Sequence, residues 1–285
     1  MAGVEAGPGP GYGARSATLT VLGCDGGYPG PGGAASGYVV EAAGVVIWLE
    51  AGPGTFANLQ LVTNPARIDA IVLSHEHPDH WSDVDAYAVW RREHLPGRPI
   101  VVYAPPGLRD RAYFGDDRVF EWHEVEPSCR VPIAPRGGTG RGGTGGGGTG
   151  GGGTGGGGVV CSFSATDHGP PTLAVRVDVT GPPEGSEFPH SLAYSADTGA
   201  DWSPRELGPD IGLLLCEATY TRDHEGTARH LSGRQAGTMA ADAGIGRLVL
   251  THRLPSVSEG ALAAEADEAF GRPVHQAAPG RVFEW

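Results

Sequence analysis

Apolar residues in this chain gather into short runs that alternate with polar positions or fill completely, as strands buried on one or both faces do. In the first part of the chain these runs are ATLTVLGC (17–24), GYVVEAAGVVIWLEAG (37–52), IDAIVLS (68–74) and PIVVYA (99–104). After a glycine tract come VVCSFSAT (159–166), TLAVRVDV (172–179), SLAYSA (191–196), IGLLLCE (211–217) and RLVLT (247–251). Helices are predicted from Ser82 to about His94, from Ser232 to about Ala243, and from Gly260 to Phe270. Ser82 and Asp85 have the spacing of a capping box at the start of the first of these. Strands dominate each half and helices interleave, which predicts an α/β or α+β layered domain.

Two segments depart from this pattern. Residues 1–15 are rich in Gly and Pro and read as a disordered tail. Over residues 136–158 the chain is almost pure glycine, with Thr139, Thr144, Thr149 and Thr154 recurring every five residues. A run without apolar side chains cannot offset its ordering entropy, so a flexible loop is expected, with an end-to-end distance of about 25 Å by random-coil scaling. Strand-like text resumes on both sides, and candidate ligands fall on both sides. The tract therefore reads as a loop inserted in a single domain spanning 16–285, in preference to a linker between two domains.

Composition narrows the function classes. The 285 residues are 39% hydrophobic and 19% charged, enough for a sizeable core. No apolar run approaches the roughly 20 residues of a membrane-spanning helix. The N-terminus lacks a basic segment followed by an apolar one, so no secretion signal is expected. No membrane association and a cytoplasmic location follow as expectations. Cys24, Cys129, Cys161 and Cys216 are scattered without metal-finger or CxxC spacing and read as reduced thiols. The formal net charge of −13 weighs more. Gripping long nucleic acid requires a basic stripe to displace counterions, and none is visible. A small-molecule substrate, without stable nucleic-acid binding, fits this charge better.

The chemistry concentrates in LSHEHPDHWSD, residues 73–83, directly after an apolar strand and before a helix. In an extended stretch His75, His77 and Asp79 share one face, and Pro78 can bend the chain so that His80 turns toward the same cavity. Glu76 has the opposite parity. Imidazole nitrogen mixed with carboxylate oxygen suits Zn and also Mn or Fe. One short loop cannot complete two coordination spheres, and His168, Asp197, Glu217 and His252 each stand at or just beyond the end of a β-like run. A lone His after a strand is usually a core or capping residue. Repetition at several strand ends is what marks these four.

These residues resemble the metallo-β-lactamase superfamily, whose signature is His-x-His-x-Asp-His on the loop after a strand. The likeness is carried by LGCDGGYPGPGG (22–33), LEAGPG (49–54), LSHEHPDH (73–80), DH (167–168), YSADTG (194–199), CEATY (216–220), RHLSGRQAG (229–237) and LTH (250–252). CEAT and HLSGRQAG are similar to the phosphodiesterase branch, which includes ribonuclease Z and related cyclic-nucleotide phosphodiesterases. The resemblance implies an αββα sandwich of two mixed β-sheets flanked by helices, with two divalent metal ions. His75, His77 and His168 would hold one ion, Asp79, His80 and His252 the other, and Asp197 would bridge them. Lowering the pKa of coordinated water to about 7 would make hydroxide available at neutral pH. Asp79 would orient it, and His230, steered by Glu217, would protonate the departing oxygen or contact the phosphate. A buried structural ion pair is the other reading of Glu217 and His230. The sequence departs from the family at Glu50, where Asp is usual, and at Asp25, where a small hydroxyl residue is frequent. It also lacks the basic arm of tRNA-processing members.

The implied activity is a metal-dependent hydrolase acting on the phosphodiester of a small nucleotide or cyclic nucleotide. A tRNA 3′-end endonuclease, a thioester, lactone or β-lactam hydrolase, and a non-catalytic binding module are the alternatives. The resemblance also allows a homodimer. His94, His123, His190 and His275 read as surface residues, and His224 as part of a polar loop. Cys216 should turn into the core, away from Glu217.

Overall fold

The computed structural model describes residues 17–115, 118–136, 158–180 and 190–285. The proposed tail and residues 137–157 of the glycine tract lie outside them. The first half contributes β1 (Thr18–Gly23), β2 (Gly37–Ala42), β3 (Val45–Ala51), α1 (Thr55–Val62) and β4 (Ala70–Val72). It continues with α2 (Asp83–His94), β5 (Ile100–Ala104), β6 (Phe120–Glu124) and β7 (Arg130–Ile133). The second half contributes β8 (Gly158–Ala165), β9 (Leu173–Thr180), β10 (Ser191–Tyr194), β11 (Leu213–Glu217) and α3 (Gly233–Asp242). Then follow β12 (Arg247–Thr251), α4 (Glu259–Phe270), β13 (His275–Gln276) and β14 (Val282–Glu284).

Two seven-stranded mixed sheets result, ordered β14-β1-β2-β3-β4-β5-β6 and β13-β12-β11-β10-β9-β8-β7. β3 explains why the strands read as unbroken apolar runs. Val45, Ile47 and Leu49 face the layer between the sheets, with Val175, Leu192, Leu215 and Val249 of the second sheet. Val46 and Trp48 face the opposite way, onto Leu59 of α1 and Val84, Tyr87 and Ala88 of α2. The second sheet repeats the arrangement: Leu214, Cys216, Leu248 and Leu250 pack on Ala236 and Ala240 of α3 and Leu262, Ala266 and Phe270 of α4. Each central strand is thus buried on both faces, and the fold is the αββα sandwich expected, of the α/β class. Among the described residues no helix is long and apolar enough to cross a membrane.

Several local expectations are corrected. The 37–52 run is a hairpin, β2–β3, whose turn residues Ala43 and Gly44 have φ of 51° and 80°. Its Ala-Gly lacks the Asn or Asp that usually announces such a turn. Ser82 does not form a capping box: its own backbone is helical, and its hydroxyl donates to the Pro78 carbonyl at 2.5 Å. Asp85 instead accepts from the Tyr113 and Phe114 amides. The capping box stands at α3, where Ser232 and Gln235 cap each other reciprocally. α1, β6, β7, β13 and β14 had no clear signal in the sequence pattern.

Topology places the functional loops. β3, β4 and β5 are mutually parallel, as are β10, β11 and β12. β8 is antiparallel to β9 and β9 to β10, so β8 runs with β10. The C-terminal ends of β8, β10, β11 and β12 therefore share one edge. At the other end of the second sheet, Ile133 of β7 pairs with Val159 of β8. The ladder itself holds the two ends of the glycine tract together, and halving a loop changes its closure free energy by only about 0.6 kcal/mol. Replacing residues 137–157 with a short turn should leave the thermal midpoint within a few degrees of the parent. A large loss in a melting experiment would contradict this.

Candidate metal centre

The segment that follows β4 carries the first candidate ligands. Leaving the ladder, Ser74 donates its amide to Glu50 Oε1 at 3.0 Å, and its hydroxyl lies 2.8 Å from His75 Nδ1. The chain bends at Glu76, is extended at His77 and then turns at Pro78, which opens a short 3₁₀ turn over Pro78–His80. Proline suits the first position of such a turn because its missing N–H would be unpaired there. The turn therefore brings in both Asp79 and His80, and the expectation that strand parity would place Asp79 is corrected. Glu76 points outward to Arg111, 3.0 Å away.

The second sheet supplies the rest from its C-terminal edge. Two loops are laced together there: Thr166 Oγ1 donates to the Asp197 carbonyl at 2.8 Å, and the Asp167 amide donates to Thr198 Oγ1 at 3.2 Å. His168 is thereby held beside Asp197. His252 follows β12 with φ of 57°, a left-handed conformation that turns its ring inward. Gly26 lies so close that a Cβ there would stand 2.4 Å from the His252 carbonyl oxygen. Gly52 backs the opposite wall, where a Cβ would stand 2.0 Å from the Asp79 carbonyl oxygen.

Seven side chains converge on the cavity. His77 Nδ1 is 3.0 Å from His75 Nε2 and 3.2 Å from His168 Nε2. Asp197 Oδ2 faces this group, 3.5 Å from His75 Nε2 and 3.8 Å from His168 Nε2. In the second group, His80 Nε2 and His252 Nε2 are 3.2 Å apart. Asp79 Oδ2 stands 3.4 and 3.3 Å from them, and Asp197 Oδ1 3.3 Å from each. Asp197 thus offers one oxygen to each group.

These separations fit metal ions. Four ligands at about 2.0–2.1 Å from a tetrahedral centre stand about 3.3–3.4 Å from one another. Proton positions point the same way. His168 Nδ1 donates to the Arg229 carbonyl at 3.0 Å, which leaves a lone pair on Nε2 of the neutral ring. His75 likewise has Nδ1 against a hydroxyl and Nε2 in the cavity. Asp197 Oδ1 is buried without a hydrogen-bond partner. Cations bound here would give the inward nitrogens of His75 and His168 and the unpartnered Asp197 oxygen a partner.

The protein's own charges are organised accordingly. Burial alone would raise the Asp197 carboxyl, but the charges of His252, His80 and His75 hold it well below the usual carboxylate range. Burial also works against ionisation of Asp79, and His80 and His252 overcome it. Beside these groups, Glu217 is fully buried and accepts from four donors. Oε1 takes the Thr198 amide (2.6 Å) and His230 Nδ1 (2.9 Å), and Oε2 takes the Thr219 hydroxyl (2.7 Å) and the Leu231 amide (3.1 Å). Burial would lower the His230 imidazole, but the charge and hydrogen bond of Glu217 raise it to about 9. Cations in the centre oppose that rise.

Glu50, the residue that departs from the family pattern, has φ of 60° and is completely buried. Its Oε2 lies 3.5 Å from His80 Nδ1, and neither atom has another partner. Burial raises its carboxyl, with His80 opposing. Asp25 serves its own loop, accepting from the Gly30 amide at 2.8 Å. Sequence reasoning missed the Gly27 amide, which donates to Asp79 Oδ2 at 2.8 Å, and the hydroxyls of Thr198 and Thr219. Only the spacing of Glu217 and Thr219, two apart at a strand end, carried a signal. His94, His123 and His224 are exposed, whereas His190 and His275 are half-buried, a correction to their reading as surface residues.

Residues 46–253 match the Beta-lactamase superfamily domain. An uncharacterized protein of Mycobacterium tuberculosis is 32% identical, with 94% of this chain and 92% of that protein covered. A ribonuclease Z of Kineococcus radiotolerans is 28% identical, with 88% of each covered. Among solved structures, the metallo-beta-lactamase fold protein YhfI from Bacillus subtilis superposes with a TM-score of 0.75 at 23% identity, over 95% of this chain and 100% of that one.

Two donor groups sharing one carboxylate call for two ions. Elemental analysis of the purified protein should return close to two transition-metal ions per chain, and fewer than one after supplementation would defeat the two-ion reading.

Proposed function

The chain belongs to the beta-lactamase superfamily as a metallo-hydrolase, and from that premise we propose that it hydrolyses the phosphodiester of a small nucleotide, with a cyclic nucleotide as the favoured case. The observation that carries this reading is the Glu217–His230 pair, 2.9 Å apart and set beside the donor groups. His75, His77 and His168 would hold one ion, Asp79, His80 and His252 would hold the other, and Asp197 would serve both. Two divalent ions, zinc first with manganese or iron as alternatives, supply Lewis acidity and a nucleophile at neutral pH. Asp79, steadied by the Gly27 amide, accepts a hydrogen bond from the attacking water. His230 keeps Nδ1 on Glu217, which leaves Nε2 to give a proton to the departing oxygen. Arg229, two-thirds exposed at the rim, is 3.8 Å from Asp167 and donates to the His168 carbonyl, so its charge toward a substrate is partly offset.

The net charge of −13 favours a small anion over a long one. The likeness to a ribonuclease Z favours a second reading, an RNA endonuclease. Tight, salt-sensitive tRNA binding in a gel shift would revive it.

In a screen of bis-p-nitrophenyl phosphate, cyclic nucleotides, a thioester and a β-lactam, the phosphodiesters should turn over fastest. Asp197→Ala should lower that turnover by orders of magnitude, while His94→Ala should leave it unchanged. Faster hydrolysis of the thioester or β-lactam would overturn the assignment.

Proton donation matters most when the leaving group is a poor one. His230→Ala should therefore slow cyclic-nucleotide hydrolysis by about 10²–10⁴-fold. It should slow bis-p-nitrophenyl phosphate, which releases a stable phenolate, far less. Equal losses on both substrates would rule out the acid role.

A further inference from the structure

Thr219 stands two residues beyond Glu217, just past the end of β11, and is 2% exposed. Its hydroxyl has four neighbours within reach. Glu217 Oε2 is 2.7 Å away, His252 Nδ1 2.9 Å, the His252 carbonyl oxygen 3.1 Å and His230 Nδ1 3.4 Å.

A hydroxyl has one proton to give and two lone pairs to offer. The Glu217 carboxylate already accepts from N–H donors on both oxygens, and it is the shortest contact, so the proton goes there. The carbonyl is a longer and neutral acceptor, and charge-assisted bonds are the stronger ones. His230 Nδ1 is committed to Glu217 Oε1 at 2.9 Å. His252 Nδ1 at 2.9 Å must then be the donor to Thr219, because two acceptors cannot face each other at that distance. A proton on Nδ1 leaves the lone pair of His252 on Nε2, the atom that faces Asp79, His80 and Asp197.

We propose that Thr219 is a positioning residue whose hydroxyl fixes the tautomer and ring orientation of His252, and so sets the affinity of the ion position formed by Asp79, His80 and His252. The proposal rests on the ligand assignment made above. It adds a division of labour: Glu217 receives His230 on one oxygen and, through Thr219, His252 on the other. One buried carboxylate thus orients both a metal ligand and the proton donor. Groups that orient a ligating imidazole in this way typically change metal affinity by about 10- to 100-fold when removed.

The test uses zinc alone, by chelator competition with the full-length protein, alongside nitrogen-15 NMR of the histidine rings. Thr219→Val should weaken one of the two zinc sites by about 10- to 100-fold and leave the other unchanged. Thr219→Ser, which keeps the hydroxyl, should restore wild-type affinity. In the zinc-loaded wild type, His252 should carry its proton on Nδ1. The proposal is overturned if Thr219→Val binds both ions as the wild type does, if Thr219→Ser loses as much as Thr219→Val, or if His252 carries its proton on Nε2. The wild-type spectrum decides even where a variant fails to fold. Because no readout involves a substrate, zinc effects as expected without any phosphodiester turnover would defeat the substrate reading and leave this one standing.

Discussion

The structure depends on holding five imidazoles and two carboxylates within 3–4 Å of their neighbours in the protein interior, where an unpartnered polar atom is costly. His80 Nε2 and His252 Nε2 lie 3.2 Å apart, with Asp79 and Asp197 oxygens 3.3–3.4 Å from both, so each carboxylate oxygen faces two imidazoles in the interior. Such an array cannot be left to flexible loops, because side chains free to move would separate. Strain confirms the cost of holding it. Six non-glycine residues have positive φ among the described residues, and three of them are Glu50, Ala196 and His252. His252 belongs to a candidate donor group, Ala196 immediately precedes Asp197, and Glu50 faces His80. Residues held in this region cost of order 1–3 kcal/mol each and persist where the surroundings over-determine them.

The sandwich supplies that over-determination. The candidate ligands stand on the segments that follow β4, β8, β10 and β12, so the apolar layers that stabilise the sheets also fix the edge that carries them. Tyr38, on β2, shows the link directly: it packs against Tyr194 of β10 with ring centroids 5.6 Å apart and hydrogen-bonds Thr251 at 2.6 Å, one residue before His252. Close backbone approach completes the walls. Gly26 and Gly52 have no space for a side chain against His252 and Asp79, which gives two of the glycines in the conspicuous Gly-rich turns a steric reason.

Much of this was legible in the sequence because ligands are anomalies there. A histidine or acid ending an apolar strand is poorly explained by the core, and repetition at His75, His168, Asp197, Glu217 and His252 made the pattern readable. Elements whose formation depends on neighbours were less so. β6 and β7 are edge-proximal and partly exposed, α1 is short, and the Ala43–Gly44 turn takes its conformation from the hairpin it closes. Ser82 and Asp85 had the right spacing for a cap, but both side chains found other partners once the chain folded. Backbone donors such as the Gly27 amide have no compositional signature at all, and the role of a threonine hydroxyl depends on which atoms surround it.

The arrangement around Glu217 bears on the reaction as well as on the ions. Glu217 is fully buried and accepts four hydrogen bonds, one of them from His230. Its effect is to keep His230 oriented, with a proton available toward the cavity. Thioester cleavage releases a thiolate and activated esters release a stable anion, and neither gains much from such a donor. Cleavage of a phosphodiester to a sugar alkoxide gains a great deal, because the departing oxygen is strongly basic. On the proposed reading, in which His230 is the proton donor beside two ion positions, a substrate with a poor leaving group is favoured. The acidic surface then argues for one small enough to approach without a basic track.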